Sequence, residues 1–276
     1  MTTRIHHLNC ATMAPPLAAR TGLAPDHLVA HCLLLERAGG LVLVDTGFGS
    51  ADIAEPARRL GRAFLLATGA ALDPAETAAS QVRGLGFSVE DVTDVVVTHL
   101  DLDHAGGLSD FPHARVHVLG DELAAARARR TAKERNRYRT TQWAHGPRWV
   151  EHHPQATDHW YGFGAVPLLD GDAALVPLVG HTRGHSAVAV RRPSGGWFLH
   201  AGDAYFSHAE KDDPPRCPTG LRAFQTMVQV DKHARLANQE RLRSFHTEHG
   251  TPHGGDVTVF CAHDHVEYDA LAGVTD

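Results

Sequence analysis

The six residues His99-Leu-Asp-Leu-Asp-His104 place two imidazoles and two carboxylates within one short stretch of chain. They follow the apolar run 94–98 and precede Ala105-Gly106-Gly107. A β-branched run that ends in polar residues and then glycines indicates a buried strand leading into a tight loop. Imidazole nitrogens and carboxylate oxygens are common ligands of divalent metals. We therefore predict a metal site here, the alternative being a polar strand end followed by a helix cap.

Five apolar, strand-like runs end next to a residue that could bind or orient a metal. The runs 41–44, 94–98, 174–179, 196–200 and 257–261 lead into Asp45, His99, His181, Asp203 and His263. Helical patterns over 52–67, 75–84, 121–140 and 226–247 alternate with these runs. In α/β proteins the loops at one edge of a sheet lie together, so residues distant in sequence can converge there. We expect one common site.

Composition limits the class of protein. A chain of 276 residues with 43% hydrophobic residues can bury a sizeable core, and its net charge of -6 gives no global reason to expect nucleic acid or an anionic membrane as a partner. We predict a single domain over 1–276, with a helical, aromatic- and arginine-rich insertion at about 121–165. A homodimer is possible, and the oligomeric state is left open.

The cysteines and the apolar runs indicate the compartment. The four cysteines form no CxxC pair, and no apolar run reaches the 18 residues of a membrane span. Residues 1–16 hold no apolar stretch of the kind a signal peptide needs. We expect a cytoplasmic protein with reduced cysteines and no membrane partner.

The ordered histidines and aspartates resemble the metallo-β-lactamase superfamily over roughly residues 30–265. The hallmark of that family is the pattern HxHxDH, followed by a lone histidine, an aspartate and a final histidine, and this chain has HLDLDH followed by His181, Asp203 and His263. The resemblance implies an α/β fold, a four-layered αββα sandwich with the metals at one edge between two mixed sheets. It also implies a metal-dependent hydrolase.

The resemblance assigns roles to individual residues. One divalent metal would take His99, Asp101 and His181, the second would take Asp103, His104 and His263, and Asp203 would bridge them. Zinc is the expected metal, and a hydroxide bridging the two ions would attack the substrate.

Four further roles are expected around these ligands. Asp45 would orient a ligand histidine, as would His185, for which a structural histidine at a helix start is an equal alternative. Asp103 could also carry a proton, and Tyr205 could donate to the developing oxyanion, unless it is simply a packed aromatic residue.

Asp101 departs from the family pattern, which usually has histidine at this position. Its carboxylate could coordinate in place of a ring nitrogen, or it could point away and leave one metal loosely held. If it coordinates, three carboxylates and a bridging hydroxide balance two divalent cations in a neutral cluster, and its extra oxygen ligand makes manganese or iron plausible beside zinc.

The residues suggest a small-molecule substrate but do not identify it. The aromatic residues Trp143, Trp149, Trp160, Tyr161 and Phe163 could cap the metals with an apolar wall, which would suit a carboxylic ester or lactone, or could form the core of the insertion. The arginines of the same segment favour a phosphodiester or nucleic-acid hydrolase as the alternative, although they also suit a solvated helix face. Because the overall charge is acidic, we rank a phosphodiester or nucleic-acid substrate second, and a thioester third.

Overall fold

Two facing β-sheets form the centre of the protein, whose computed structural model describes residues 1–16 and 21–274. In spatial order the first sheet contains β1 (Thr2–Asn9), β2 (His31–Arg37), β3 (Gly40–Val44), β4 (Val92–Val96), β5 (Arg115–Leu119) and β6 (Arg148–His152). Strands β1 to β3 pair antiparallel, and β3 to β6 pair parallel.

The second sheet follows a short hairpin of β7 (His159–Trp160) and β8 (Phe163–Gly164). It contains β9 (Val166–Leu168), β10 (Ala173–Pro177), β11 (Ser186–Arg191), β12 (Trp197–His200) and β13 (Val257–Phe260). The spatial order is β13-β12-β11-β10-β9, with β12 and β13 parallel and the other neighbours antiparallel.

Short helices connect the strands. They are α1 (Ser50–Ala54), α2 (Pro56–Arg59), α3 (Arg62–Thr68), α4 (Ala78–Gly84), α5 (Leu102–Ala105), α6 (Gly120–Ala128), α7 (Ala132–Arg137), α8 (Thr219–Val228), α9 (Lys232–His249) and α10 (His265–Leu271). Turns of 3₁₀ helix lie at Pro74–Glu76, Val89–Asp91, Gly106–Asp110, Thr140–Gln142, Leu169–Gly171, His208–Lys211 and Thr251–His253. Within the described ranges, no helix is long and apolar enough to cross a membrane.

The side chains of β2 show how the layers form. Leu33 and Leu35 lie between the sheets with Val188 and Phe198 of the second sheet, whereas Leu34 faces the opposite side, in the cluster that includes residues of α4 and α6. This alternation follows from the two-residue repeat of a strand. Helix α9 covers the outer face of the second sheet through residues such as Phe245. The layers are therefore helix, sheet, sheet, helix, which confirms the predicted αββα fold, and we interpret the shared core as that of one domain.

The segment at 121–165 is built differently from the predicted insertion. The expected long helix is divided at Arg129, which adopts a left-handed conformation with φ of 40°, into α6 and α7. Strand β6 then joins the first sheet beside β5, so much of the segment is a β–α–β crossover of the main fold. The helical pattern at 52–67 is divided into three short helices by residues 55 and 60–61, and the pattern at 226–247 is divided by residues 229–231.

The tryptophans of this segment pack into the body of the protein. Trp160 is buried in the core outside the second sheet, with its ring 5.3 Å from that of Phe245. Trp143 and Trp149 pack against the core outside the first sheet. Of the two interpretations of these aromatic residues, the structure supports core packing and not a cap over the metals.

The Asp94 carboxylate on β4 is a buried electrostatic link in the first sheet. Arg115 donates to both of its oxygens, at 2.8 and 3.0 Å, and the His117 ring lies 2.7 Å away. Burial alone would raise the pKa of Asp94, but hydrogen bonds from His117 and Arg115 hold it well below its usual range. A carboxyl with a depressed pKa stabilises the fold above its unfolded pKa near 4, and this contribution is lost as pH falls towards the folded pKa.

We therefore expect Asp94→Asn to lower the free energy of unfolding by about 1–3 kcal/mol at pH 7, because the partners of the carboxylate lose a charged acceptor. The deficit should shrink as pH falls from 5 towards 3. Urea unfolding of both proteins between pH 3 and pH 7 measures this difference in the free energy of unfolding, and Asp26→Asn, at an exposed position, is the control. A deficit that is constant with pH would contradict the assignment.

Candidate metal centre

The predicted ligand residues lie together in two groups at one edge of the sandwich. The first group is His99, Asp101, His181 and Asp203, and the second is Asp103, His104 and His263. The loop after β4 supplies His99 and Asp101 and runs into α5, while the loops after β10, β12 and β13 supply His181, Asp203 and His263. Within each group the candidate ligand atoms lie within 4.8 Å of one another.

Asp203 lies between the two groups and turns one carboxylate oxygen towards each. Its Oδ2 is 3.3 Å from Nε2 of His181 and 3.8 Å from Nε2 of His99. Its Oδ1 is 3.1 Å from Nε2 of both His104 and His263. Burial alone would raise the pKa of Asp203, but His263, His104 and His181 hold it well below its usual range. The carboxylate is therefore anionic and placed to bridge two cations.

The Asp45 carboxylate fixes the tautomer of the His104 ring directly and that of the His99 ring through Thr98. It accepts hydrogen bonds from Nδ1 of His104 at 2.9 Å and from the Thr98 hydroxyl at 2.8 Å. Because the Thr98 hydroxyl donates its proton to Asp45, its oxygen can only accept, and it accepts a hydrogen bond from Nδ1–H of His99, 2.9 Å away. Both rings then direct the Nε2 lone pair into the cluster. The sequence-based role of Asp45, orienting a histidine rather than binding metal, agrees with these contacts.

Asp45 itself is held in an unusual backbone conformation. Its φ of 56° lies in the left-handed region, which costs on the order of 1 kcal/mol for a residue other than glycine. The backbone N–H of Thr98 compensates by donating to Oδ1 at 2.7 Å. The next residue, Thr46, donates from its N–H and its hydroxyl to the carbonyl of His104, both at 2.8 Å. Residues 45 and 46 therefore hydrogen-bond both to side chains and to backbone groups of the segment 98–104, which carries candidate ligands.

His185 contacts the backbone of Asp203 from the neighbouring loop. Its Nδ1 donates to the Leu178 carbonyl at 2.9 Å, and its Nε2 accepts the backbone N–H of Asp203 at 2.8 Å. Burial, with His99 and His181 nearby, holds the pKa of His185 well below its usual range, so the ring is neutral. The ring lies so close to Gly202 that a Cβ there would approach Nε2 to 2.6 Å, and Gly202 also has a φ of 54°. Both constraints favour glycine before Asp203.

The donor set fits two divalent cations. Nε2 of His99 is buried and has no hydrogen-bond partner within the part of the chain that the structure describes. His263 donates from Nδ1 to the Val29 carbonyl at 2.7 Å, so its Nε2 also faces the cluster as a lone pair, 3.3 Å from Nε2 of His104. Buried lone pairs that face one another beside anionic carboxylates are what a metal site requires.

Asp101 faces the first group. Its Oδ2 lies 3.0 Å from Nε2 of His181 and 3.5 Å from Nε2 of His99, so the geometry favours the coordinating orientation over the outward one. Its other oxygen lies 3.2 Å from Nε of Arg137. Burial alone would raise the pKa of Asp101, but Arg137 and His99 hold it well below its usual range.

Two residues at the site were not singled out from the sequence. Arg137 was only one member of a basic run, and its contact with Asp101 has no local signal. Glu122, whose side chain is buried, accepts the N–H groups of Leu100 and Gly184, both at 3.0 Å. It therefore ties the loop of His99 to the loop of His181. An acidic residue in the first turn of a helix was its only signal.

The structure does not bring the Tyr205 hydroxyl to the cluster. Its side chain is buried in the core between the second sheet and α9, and its hydroxyl donates to Glu267 at 3.0 Å. Glu267 also accepts the N–H of Cys261 at 2.8 Å and forms an ion pair with Lys211. The expected oxyanion role is therefore corrected to a packing role, because the hydroxyl already has a buried carboxylate as partner.

Comparison with known protein families decides the classification. The family model described as the metallo-beta-lactamase superfamily matches residues 25–250. The chain belongs to this superfamily. A superfamily relative, the probable metallo-hydrolase Rv2300c of Mycobacterium tuberculosis, is 42% identical over 95% of this chain and 80% of its own length. The N-acyl homoserine lactonase AttM of Rhizobium radiobacter is 28% identical over 70% of this chain and 66% of its own.

Solved structures of the superfamily share the fold. An N-acyl homoserine lactone hydrolase with N-hexanoyl-L-homoserine at its catalytic metal centre aligns with a TM-score of 0.69, at 17% identity over 98% of this chain and 97% of that one. AidC, a dizinc quorum-quenching lactonase, aligns with a TM-score of 0.59, at 14% identity over 96% and 88%. Together the comparisons confirm the predicted family, fold and metal-dependent hydrolase class.

The contacts of Tyr205 generate a prediction. Tyr205→Phe should leave kcat within twofold, because the hydroxyl is bonded to Glu267, and should lower the free energy of unfolding by about 1–2 kcal/mol, because a buried carboxylate loses a donor. Tyr161→Phe removes a hydroxyl that donates to Asp256 at an exposed position and serves as the matched control. A tenfold loss of kcat with unchanged stability would restore the oxyanion role.

Proposed function

We propose that this protein hydrolyses a carboxylic ester or lactone bond in a small molecule, with two divalent metal ions held by the residues described above. The single observation that carries the proposal is the placement of Asp203, which turns one oxygen to each group of ligands at distances of 3.1–3.8 Å. A carboxylate shared in this way suits a dinuclear centre, and dinuclear centres favour hydrolysis.

The ligand atoms suggest zinc. The first ion would be held by His99, Asp101 and His181, the second by Asp103, His104 and His263, and both by Asp203. Four imidazoles among these ligands suit zinc, and a dizinc lactonase with this fold supports the choice. When bound, the ions would supply a Lewis acid and an activated water. The Asp103 carboxylate, 13% exposed and 3.7 Å from Nε2 of His263, would also carry a proton to the leaving group.

Apolar side chains on the His263 side of the centre support a substrate with an apolar portion. The ring of Phe206 stacks on that of His263, with centroids 5.0 Å apart and an angle of 26°. Phe206 belongs to an apolar cluster with Leu28, Phe48 and Leu102, the last lying between two candidate ligands. These side chains are buried, so they give the centre an apolar surround, and an apolar surround favours an acyl group over a phosphodiester. The relatives named as N-acyl homoserine lactonases support the same class.

Three arginines of the 121–165 segment have partners within the protein, which weakens the phosphodiester alternative. Arg127 pairs with Glu151, Arg135 donates to backbone carbonyls of residues 129 and 130, and Arg137 forms an ion pair with Asp101. Engaged in this way, these side chains do not form the row of phosphate contacts that a nucleic-acid substrate needs.

The four cysteines are unpaired, which suits the cytoplasmic location that we also propose.

A substrate panel tests the proposed reaction. The zinc-loaded protein should hydrolyse N-acyl homoserine lactones or a p-nitrophenyl acyl ester with a kcat/KM about 100-fold or more above that for bis-p-nitrophenyl phosphate. A glutathione thioester and a β-lactam complete the panel, each assayed with zinc, manganese and iron. Preference for the phosphodiester or the thioester would overturn the proposed substrate class while leaving the metal centre intact.

The bridging role of Asp203 is tested by metal analysis. Asp203→Ala should lower bound zinc from about two ions per chain to less than one, because both groups lose a shared ligand. Asp110→Ala is the matched control, since its carboxylate accepts from Ser50 outside the cluster. Two zinc ions retained by the Asp203 variant would contradict the bridging role.

A further inference from the structure

The Arg137 side chain is almost buried beside the candidate metal centre, with 8% of it exposed. Its Nε lies 3.2 Å from Oδ1 of Asp101, its Nη1 donates to the carbonyl of His181 at 2.9 Å, and its Nη2 donates to the carbonyl of Val228 at 2.6 Å. The guanidinium therefore contacts one candidate ligand through its side chain and another through its backbone. A buried arginine needs such partners, because desolvation of an unpaired charge is costly.

Asp101 divides its two oxygens between different partners. Oδ2 faces Nε2 of His181 and His99, and Oδ1 faces Arg137. Arg137 thus lies beside the second oxygen as an ion-pair partner, without a hydrogen bond among the described residues, while the first oxygen faces the two histidines. Its positive charge also offsets the negative charge of the carboxylate, so Asp101 and Arg137 together bring no net charge to the centre.

We propose that Arg137 is the positioning and charge-compensating partner of Asp101, and that the two residues act as one unit which replaces a neutral ligand in the first group. The inference rests on the metal-site part of the proposed function and is independent of the substrate. Arg137 does not contact the reacting atoms; it acts through Asp101.

The pair changes the charge expected at the centre. From the ligands alone, three carboxylates and a bridging hydroxide would leave two divalent ions in a neutral cluster. Arg137, in direct contact, raises that local sum to +1. The centre therefore does not behave as a neutral cluster, and its attraction for anionic groups is retained.

Helix docking is the alternative explanation for Arg137. Lys133, one turn earlier on α7, donates to the carbonyls of Met227 and Gln229, so both cations hold α7 against the end of α8. A docking role alone would be lost equally whichever residue occupies position 101. Charge compensation depends on Asp101, and this difference can be measured.

A double-mutant cycle between positions 101 and 137 tests the proposal. Asp101→His supplies a neutral ligand and leaves Arg137 without its carboxylate, so we expect zinc affinity, measured by chelator competition, to fall about tenfold or more. The double variant Asp101→His/Arg137→Met also removes the unpaired guanidinium of Arg137, and it should return zinc affinity to within about threefold of the unmodified protein. Failure of Arg137→Met to rescue Asp101→His would overturn the proposal.

Thermal unfolding of the metal-free protein gives an independent readout. Arg137→Met should lower Tm by about 5–10 °C when Asp101 is present, because it leaves a buried carboxylate unpaired, and by less than half as much when histidine is present. Equal losses in both backgrounds would show docking alone. If the unmodified protein bound no zinc, the metal site itself would fail, while the coupling in Tm would still report on the pair.

Two further variants serve as controls. Asp101→His/Arg137→Lys keeps the positive charge and should not rescue zinc affinity, whereas rescue by lysine would contradict charge compensation. Arg135→Met removes an arginine of the same helix that donates to backbone carbonyls, and it should rescue nothing in the Asp101→His background.

Discussion

The convergence of four buried imidazoles and three carboxylates, of which Asp203 is buried and Asp101 and Asp103 are partly exposed, is the constraint on which the rest of the site depends. Lone pairs and negative charges brought together out of water repel one another and lose hydration, so the cluster persists only if each side chain is held and the charge is offset. The side chains of the cluster are held by hydrogen bonds and an ion pair from four neighbours, Asp45, Thr98, His185 and Arg137. Two bound divalent cations would offset the negative charge of the carboxylates.

The two sheets meet the same constraint by tying their loops to one another. Glu122 bonds backbone N–H groups in the loops of His99 and His181, and Thr46 bonds the carbonyl of His104. His185 and Asp203 join the loops after β10 and β12. These bonds cross between strands that are far apart in sequence, so the ligand geometry is a property of the whole sandwich. The charge pair of Asp101 and Arg137 extends this support to the helical crossover.

The sequence was sufficient for the parts of the site that depend on residue type and strand position. The runs before His99, His181, Asp203 and His263 are strands, as predicted, because alternation and β-branched composition report on burial. The partners of Asp101 and Tyr205 could not be predicted. Arg137 is 36 residues from Asp101 and reaches it only because α6 and α7 break at Arg129. The Tyr205 hydroxyl turns to Glu267 on α10, a contact that no local pattern encodes.

The central claim is that Asp203 joins two metal ions, and anomalous X-ray diffraction from crystals of the zinc-loaded protein tests it most directly. We predict two zinc peaks, one beside His99, Asp101 and His181 and one beside Asp103, His104 and His263, with one oxygen of Asp203 bound to each. A single peak, or two peaks with Asp203 bound to neither or to only one, would contradict it.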